Sequence, residues 1–290
     1  MKSIDEQYKN LLEDVLRNGE WQQNRTGVPT LFKIGAHLSI DCSQSFPLLT
    51  TKKVYWKSAF AEMLGFIRGY DNAADFRALG CNVWNKDANE NVCWLNSSHR
   101  RGKDDLGRIY GVQWRSWEPG IDQLRNVVKD LSLDIDNRRE IIIAWNPAEL
   151  EQMALPPCHF AMTFSLTEER SKVNLSVFQR SWDLALGCPY NITQYAFLLN
   201  LIAVITKKRV GVLHFHAVNV HIYENHLEGI QEQLRREPKE QHPKIWIDPD
   251  LCDSLDFIDE ASRSMDEWVA VYNYDPHPPI KFEMVTETAK

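Results

Sequence analysis

The chain has 290 residues, 43% of them hydrophobic and 25% charged, an ordinary globular composition with ample material for a core. A formal net charge of −7 argues against a broad nucleic-acid surface, which needs a basic face, but allows a local arginine cluster around a small phosphorylated ligand. The six cysteines, at 42, 81, 93, 158, 188 and 252, make no C-x-x-C pair, so reduced thiols in a cytoplasmic setting are expected. The opening MKSIDEQYKN has no signal-peptide pattern and no apolar run reaches membrane-spanning length, so no membrane partner is expected.

Ser3 to Glu6 is a capping-box pattern opening a helix with Ile4, Tyr8, Leu11, Leu12 and Val15 along one face, ended at Asn18-Gly19. Asn24-Arg25-Thr26-Gly27 reads as a turn before an apolar-alternating strand, Leu31 to Ile40; on residues alone Arg25 is a solvated charge. A second helix spans Val54 to Arg68 and stops at Gly69. It carries Glu62 among Phe60, Met63, Leu64, Phe66 and Ile67, and a carboxyl with such neighbours is expected to titrate high and shuttle protons through water. Residues 70 to 108 are the least regular part. Trp84 reads there as core and Asn96 to Lys103 as an exposed loop. Helical spacing returns over 121 to 131, and Arg138 and Arg139 precede a strand, Ile141 to Trp145. Adjacent strand residues point to opposite faces, so one exposed charge and one ion pair are expected of that pair.

The most informative stretch runs from Met153 to Asn191: MALPPCHFAMTFSL, a polar hairpin around Glu168 to Lys172, then VNLSVFQRSWDLALGCPYNI. Each proline before Cys158 fixes its own φ and removes a backbone donor, so the thiol sits on a stiff, extended approach. A lone cysteine is usually a small buried hydrophobe. Here the next strand ends in Gln179-Arg180-Ser181, a cation with two hydrogen-bonding neighbours, able to favour thiolate over thiol or to hold an anion. Asp183 and Asn191 lie beyond it around an expected turn, Leu186-Gly187-Cys188-Pro189. Tyr195 to Thr206 is apolar on nearly every side, a buried helix. Val210 to Tyr223 is a strand whose His214, His216 and His221 are read as sharing one face. No Cys or carboxylate stands near them at short ligand spacing, so no metal is expected. An amphipathic helix over 225 to 237 and a pair of strands within 243 to 272 complete the pattern. No repeat, low-complexity segment or linker divides the chain, so a single domain over 1–290 is expected.

The motifs MALPPCH, QRSxDxxLGxPxNI and HIYxNHLE resemble thymidylate synthase and its relatives, the pyrimidine-nucleotide hydroxymethylases, from about Asn24 to Lys281. The resemblance implies an α/β (α+β) fold with a large mixed β-sheet flanked by helices, pairing sheet to sheet as a homodimer. It implies transfer of a one-carbon unit from 5,10-methylenetetrahydrofolate to C5 of a pyrimidine nucleotide. It makes Cys158 the nucleophile, Glu62 the catalytic carboxylate and Tyr110, within LGRIYG, a tyrosine of the catalytic network, with Arg180, Asp183 and Asn191 beside them. Arg25 and Arg180 would hold the phosphate, Ser181 would join them in binding the substrate, and Arg138 and Arg139 would reach across the dimer to the partner's phosphate. His221 and Tyr223 would hold the sugar hydroxyl. Val83, Trp84, Asp183, Leu186, Gly187 and Tyr190 would join Glu62 on the folate side. Asn191 can accept from N3–H and donate to O4, the pattern of uracil, whereas cytosine-acting relatives carry Asp there; dUMP is therefore the expected substrate.

A thiolate added to C6 turns C5 into a nucleophilic enolate carbon. The step after carbon transfer decides the product, because a hydride yields dTMP and dihydrofolate whereas water yields 5-hydroxymethyl-dUMP and tetrahydrofolate. Several positions depart from the synthase pattern: NRTGVPT for DRTGTGT, Asn85 for an acid, Gly65 for a Trp, Tyr190 for a Phe, Ala217-Val218-Asn219 for a glycine-acid pair, and a tail running on from Thr286 to Lys290. Gly65 in particular is read as opening space. The expectation is accordingly a deoxyuridylate hydroxymethyltransferase, whose product suggests a virus with modified DNA and hence the host cytoplasm, with thymidylate synthase as the alternative. A Cys-His hydrolase pairing Cys158 with His221 is a distant third, since it explains neither Asn191 nor the arginines.

Overall fold

Most of the periodic segments fold as their spacing dictates. The computed structural model describes residues 2–260 and 264–285, so the tail from Thr286 to Lys290 lies outside the described residues. Ser3 Oγ accepts from Glu6 N at 3.2 Å and starts α1 (Ile4–Asn18), which buries Tyr8, Leu11, Leu12 and Val15. After β1 (Glu20–Gln22) and β2 (Thr30–Asp41), α2 (Trp56–Ile67) is buried almost all round. The irregular region holds short helices α3 (Ala73–Ala78), α4 (Asn85–Asn89) and α5 (Val92–Leu95), tied together where Arg77 grips Asp104 at 2.8 and 2.9 Å. Then come α6 (Tyr110–Arg115), α7 (Gln123–Ser132) and β3 (Ile141–Ile143). The hairpin β4 (His159–Thr167) and β5 (Lys172–Asp183) leads through α8 (Gly187–Ile205) to β6 (Arg209–Tyr223). The chain continues through α9 (Leu227–Arg235) and β7 (Lys244–Ile247) to α10 (Leu255–Glu260) and β8 (Val269–Tyr272), with β7 and β8 pairing antiparallel.

The large sheet has the order β1-β2-β6-β5-β4-β3. All its pairs are antiparallel except β5 with β6, which run parallel because α8 carries the chain back to the start of the sheet between them. α8 packs on one face of the sheet, with α2 against it, and Phe60 stacks on Phe197 at 4.2 Å between the two helices. α8 is long and apolar enough to cross a membrane, yet 78% of its apolar window is buried inside the fold: it is the core helix of the sheet. The opposite face is left uncovered by the described residues and carries His214, Ile141 and Ile143, and a depression of about 410 Å³ lined by His37, Phe160, Phe178, His216 and Val218. This is the mixed α/β architecture, a large sheet flanked by helices, that the motifs imply.

Two readings of the sequence are corrected. Leu186 to Pro189 is no free-standing turn but the start of α8, which therefore begins at Gly187 rather than Tyr195. Proline is tolerated in a first turn, where backbone N–H groups have no intrahelical partner anyway. Nor do the three histidines share a face. The separation of His216 from His221 is odd, so His221 points to the helix-covered side and is buried, while His214 and His216 stack near His37 on the uncovered side, 5.7 and 4.8 Å from its ring.

Candidate active site

Cys158 stands immediately before β4, half-buried, where the chain leaves the two prolines. Because a proline has no N–H, Pro156 and Pro157 offer only carbonyls here. Arg180 uses both of them, donating from Nη2 to Pro156 O and from Nε to Pro157 O, each at 2.9 Å. The guanidinium, held also over the Trp145 ring, is thereby left with Nη2 3.7 Å from Cys158 Sγ. Tyr110 Oη accepts from Cys158 N at 2.8 Å. Burial holds that phenol well above its ordinary pKa, so it stays protonated. Four of the other five cysteines are buried, and burial pushes Cys42 up to about 12. The thiol with both access and a cation is Cys158.

Under the thiol lies a layer that the sequence did not announce. His159, next in the chain, is buried against the Tyr110 ring at 4.3 Å and bonded through Nδ1 to Tyr195 Oη at 2.6 Å. Burial drops its pKa to about 3, so this imidazole is a neutral spacer rather than a base. Glu62 behaves as its apolar neighbours predict: burial raises its pKa to about 7, against the lowering effect of Gln194 Nε2, which donates to Oε2 at 2.6 Å. The Trp84 indole N–H lies close enough to lower it too but makes no hydrogen bond of ordinary geometry. Asn191 Nδ2 in turn donates to Gln194 Oε1 at 2.9 Å, and Asn191 Oδ1 accepts from Trp182 Nε1 at 3.1 Å.

Asp183 Oδ1 accepts from Ala185 N at 2.9 Å and Leu186 N at 3.4 Å, which shapes the entry into α8. Lys52 Nζ donates to Ala185 O, and burial lowers this amine to about 8. Asp183 faces His221 across the β5–β6 register, and Ser181 faces Asn219. Asn219 Oδ1 meets His221 Nδ1 at 2.9 Å and so fixes the ring, while burial keeps the imidazole's pKa down. Tyr223, its pKa pushed to about 12 mainly by burial, feels the charges of both Asp183 and Arg25, which brings the Arg25 turn to this end of the sheet. Gly187 leaves space, with nothing closer than 3.7 Å to a methyl placed there, and Tyr190 is half-buried near Glu62. Trp84 is buried and Val83 only partly so.

Arg138 and Arg139 are not brought to this site by their own chain. They precede β3 at the edge of the sheet remote from Arg25, and both are exposed. The expected split into one exposed charge and one ion pair fails because the residues lie in a turn, with Arg138 at φ 62°, and not in a strand. Buried Glu140 makes that turn, its carboxylate accepting from Asn137 N at 3.1 Å and Arg139 N at 3.0 Å. Glu140, Lys52, His159, Tyr195 and Gln194 are the site and support residues that sequence reasoning missed. Only His159, adjacent to the nucleophile, carried a visible signal.

Two of the departures weighed as signs of water access, Gly65 and Ala217-Val218-Asn219, have other physical explanations. Gly65 opens no space, since a methyl added there would meet the buried Phe76 ring at 2.3 Å. Ala217 is buried, Val218 lies on the uncovered sheet face and Asn219 serves His221. Phe282 and Glu283, near the end of the described residues, are pinned. Phe282 lies under Lys52 Nζ at 4.5 Å, and Glu283 O is bonded to His226 Nε2 at 2.7 Å.

A half-buried thiol with a guanidinium at its sulfur, and a high-pKa carboxyl set among apolar neighbours, is the arrangement of an enzyme that works through a thiolate. The profile of the thymidylate synthase family matches residues 6–286. A thymidylate synthase of Haemophilus influenzae (strain PittEE) is 46% identical over 283 residues, 95% of this chain and 98% of that protein. Those of Shewanella halifaxensis and Photobacterium profundum are 44% and 42% identical, again over 95% of this chain and 98% of theirs. The chain belongs to the thymidylate synthase family. It is a folate-dependent one-carbon transferase of a family that binds dUMP, uses 5,10-methylenetetrahydrofolate and works as a homodimer. The hydroxymethyltransferase expectation is overturned, because relatives at 42 to 46% identity over 95% of the chain are thymidylate synthases. With it go the modified-DNA and host-cell inferences, and the hydrolase pairing of Cys158 with His221. The residues present also fit a folate. Asp183 Oδ2 makes no hydrogen bond among the described residues, and Gly187 leaves room.

Proposed function

We propose that this enzyme converts dUMP to dTMP, with dihydrofolate as the second product, in a single domain that acts in the cytoplasm. The observation that carries the reading is the Cys158 sulfur with an Arg180 N–H 3.7 Å away. Cys158 adds to C6 of the base as a thiolate, and the bond breaks again when the product leaves. Arg180 shares its charge between the sulfur and the nucleotide phosphate, joined by Arg25, Ser181 and, from across the dimer, Arg138 and Arg139 of the partner subunit. The exposed, outward-turned position of the latter pair supports that assignment, as the uncovered sheet face supports a sheet-to-sheet dimer. Asn191 reads the base, and His221, with Tyr223, holds the sugar hydroxyl while Asn219 fixes the ring. Tyr110 steadies the Cys158 backbone.

When bound, the folate supplies the one-carbon unit and then the hydride that completes the methyl group. Val83, Trp84, Asp183, Leu186, Gly187 and Tyr190 orient it. Glu62, with a pKa near 7, can both give and take a proton at neutral pH. Phe76 behind Gly65 and the pinned Phe282 support a site that keeps water from the transferred carbon.

The test is incubation with dUMP and 5,10-methylenetetrahydrofolate. Dihydrofolate absorbs in the near ultraviolet where tetrahydrofolate does not, and mass analysis identifies the nucleotide. A stoichiometric rise in dihydrofolate with dTMP is expected, and tetrahydrofolate with 5-hydroxymethyl-dUMP would overturn the reading. Cys158→Ala should lose at least ~10³-fold in turnover while still binding dUMP. Activity within about tenfold of the parent would sink the covalent step.

A further inference from the structure

Gln194 is 1% exposed and lies one helical turn beyond Asn191 on α8. A glutamine so placed must satisfy its amide on both sides, and it does so by joining two functional residues. Its Nε2 donates to Glu62 Oε2 at 2.6 Å, and its Oε1 accepts from Asn191 Nδ2 at 2.9 Å. The two ends of this chain have fixed polarity. An ionised Glu62 only accepts, so the Gln194 atom facing it is the nitrogen, and the atom facing Asn191 is the oxygen. The Trp182 indole only donates, so the Asn191 atom 3.1 Å from it is Oδ1. Both demands give Asn191 the same orientation. Gln179 bears on the same choice: with its nitrogen toward Asn191 it donates to Oδ1 at 3.2 Å, whereas turned over it takes the Trp182 N–H at 3.1 Å and donates to Ser181 O at 3.3 Å but sets its oxygen 3.2 Å from Asn191 Oδ1, acceptor against acceptor, so the tie from Gln194 to Glu62 is what holds the uracil-reading orientation.

The orientation matters because uracil and cytosine differ in just this respect: one presents a donor then an acceptor at N3 and position 4, the other the reverse. An asparagine free to turn over fits either base. We propose that Gln194 is a positioning residue that locks the Asn191 amide in the uracil-reading orientation by tying it to the Glu62 carboxylate. The inference rests on Asn191 reading the base of dUMP and deepens that reading. It also couples the two groups: an ionised Glu62 presents only acceptors and holds Gln194 in this orientation, whereas a protonated Glu62 carries an O–H donor as well and no longer excludes the turned-over pair. Base selectivity therefore depends on the charge of a residue that need not touch the base edge.

The test is Gln194→Met, which keeps length and volume but cannot hydrogen-bond in this way. The dUMP-over-dCMP ratio of kcat/KM should fall by about fivefold or more. The acid limb of the dUMP pH profile should move up by roughly one unit, because Glu62 loses the N–H that stabilises its charge. A merely structural role would lower activity on both nucleotides without moving the ratio or the limb, and that result overturns the proposal. Calorimetric Kd values for dUMP and dCMP supply the same ratio without turnover. If the parent binds dUMP but does not convert it, the proposed function fails while this test still reads. If Gln194→Met does not fold, Glu62→Gln removes the acceptor-only end while leaving Gln194 in place. It should narrow the ratio of dCMP to dUMP Kd, and an unchanged ratio overturns the proposal.

Discussion

Glu62 makes the sharpest prediction, because its role in proton transfer and its effect on stability have opposite signs. Burial among Phe60, Met63, Leu64 and Phe66 raises its pKa from 4.5 in the unfolded chain to about 7 in the fold. Below the unfolded value the carboxyl is protonated in both states and costs nothing. As pH rises through the window from about 4.5 to about 7 the unfolded chain gives up its proton first, so stability falls, and above the folded value the loss is complete. A difference of this size corresponds to roughly 3 kcal/mol in total, of which about 2.5 falls between pH 5 and pH 8. Glu62→Gln removes the titration. Its amide has its own imperfect fit, but that offset does not vary with pH. The assay is urea unfolding of parent and variant at pH 5 and pH 8, at one subunit concentration because dimerisation adds to apparent stability. The gap between the two proteins should shift by about 2.5 kcal/mol in the variant's favour as pH rises, while the variant loses turnover. Parallel pH dependences would show that Glu62 is not held high by burial and would remove the reason for assigning it proton transfer.

Mixing Cys158→Ala subunits with Arg139→Ala subunits should restore activity to two inactive proteins, since one site of the mixed dimer combines an intact cysteine with an intact arginine from across the interface. No recovery under verified subunit exchange would end the shared-site assignment. Gly65→Ala should destabilise by about 1–3 kcal/mol, because the new methyl lands 2.3 Å from the Phe76 ring. In a Phe76→Ala background the same change should cost little, and an equal loss in both backgrounds would refute the packing account.

Much of this protein is written locally. The Ser3 cap and the spacing of Tyr8, Leu11, Leu12 and Val15 specify α1 without reference to anything else. The prolines before Cys158 and the Gln179-Arg180-Ser181 run mark a thiol with a cation in range, and the motifs around them identify the family. Glu62 is legible too, because a carboxyl on an apolar helix has few alternatives to burial.

What the sequence could not determine is who occupies the space next to each residue. Gly65 reads as a gap and is a fit, since the ring that fills it comes from another helix. Leu186 to Pro189 carries turn chemistry that is equally that of a helix start, and only the return of the chain to β6 selects the helix. Arg138 and Arg139 read as strand residues until buried Glu140 is seen to fold them into a turn. The chain from Glu62 through Gln194 to Asn191 and Trp182 draws on α2, α8 and β5. Periodicity fixes which way a side chain points, because that is set by the backbone it sits on. Which partner it meets, and with what polarity, is set by elements far away in the chain, and that is why the hydrogen-bonded series from Glu62 to Trp182 was decided only in the tertiary structure.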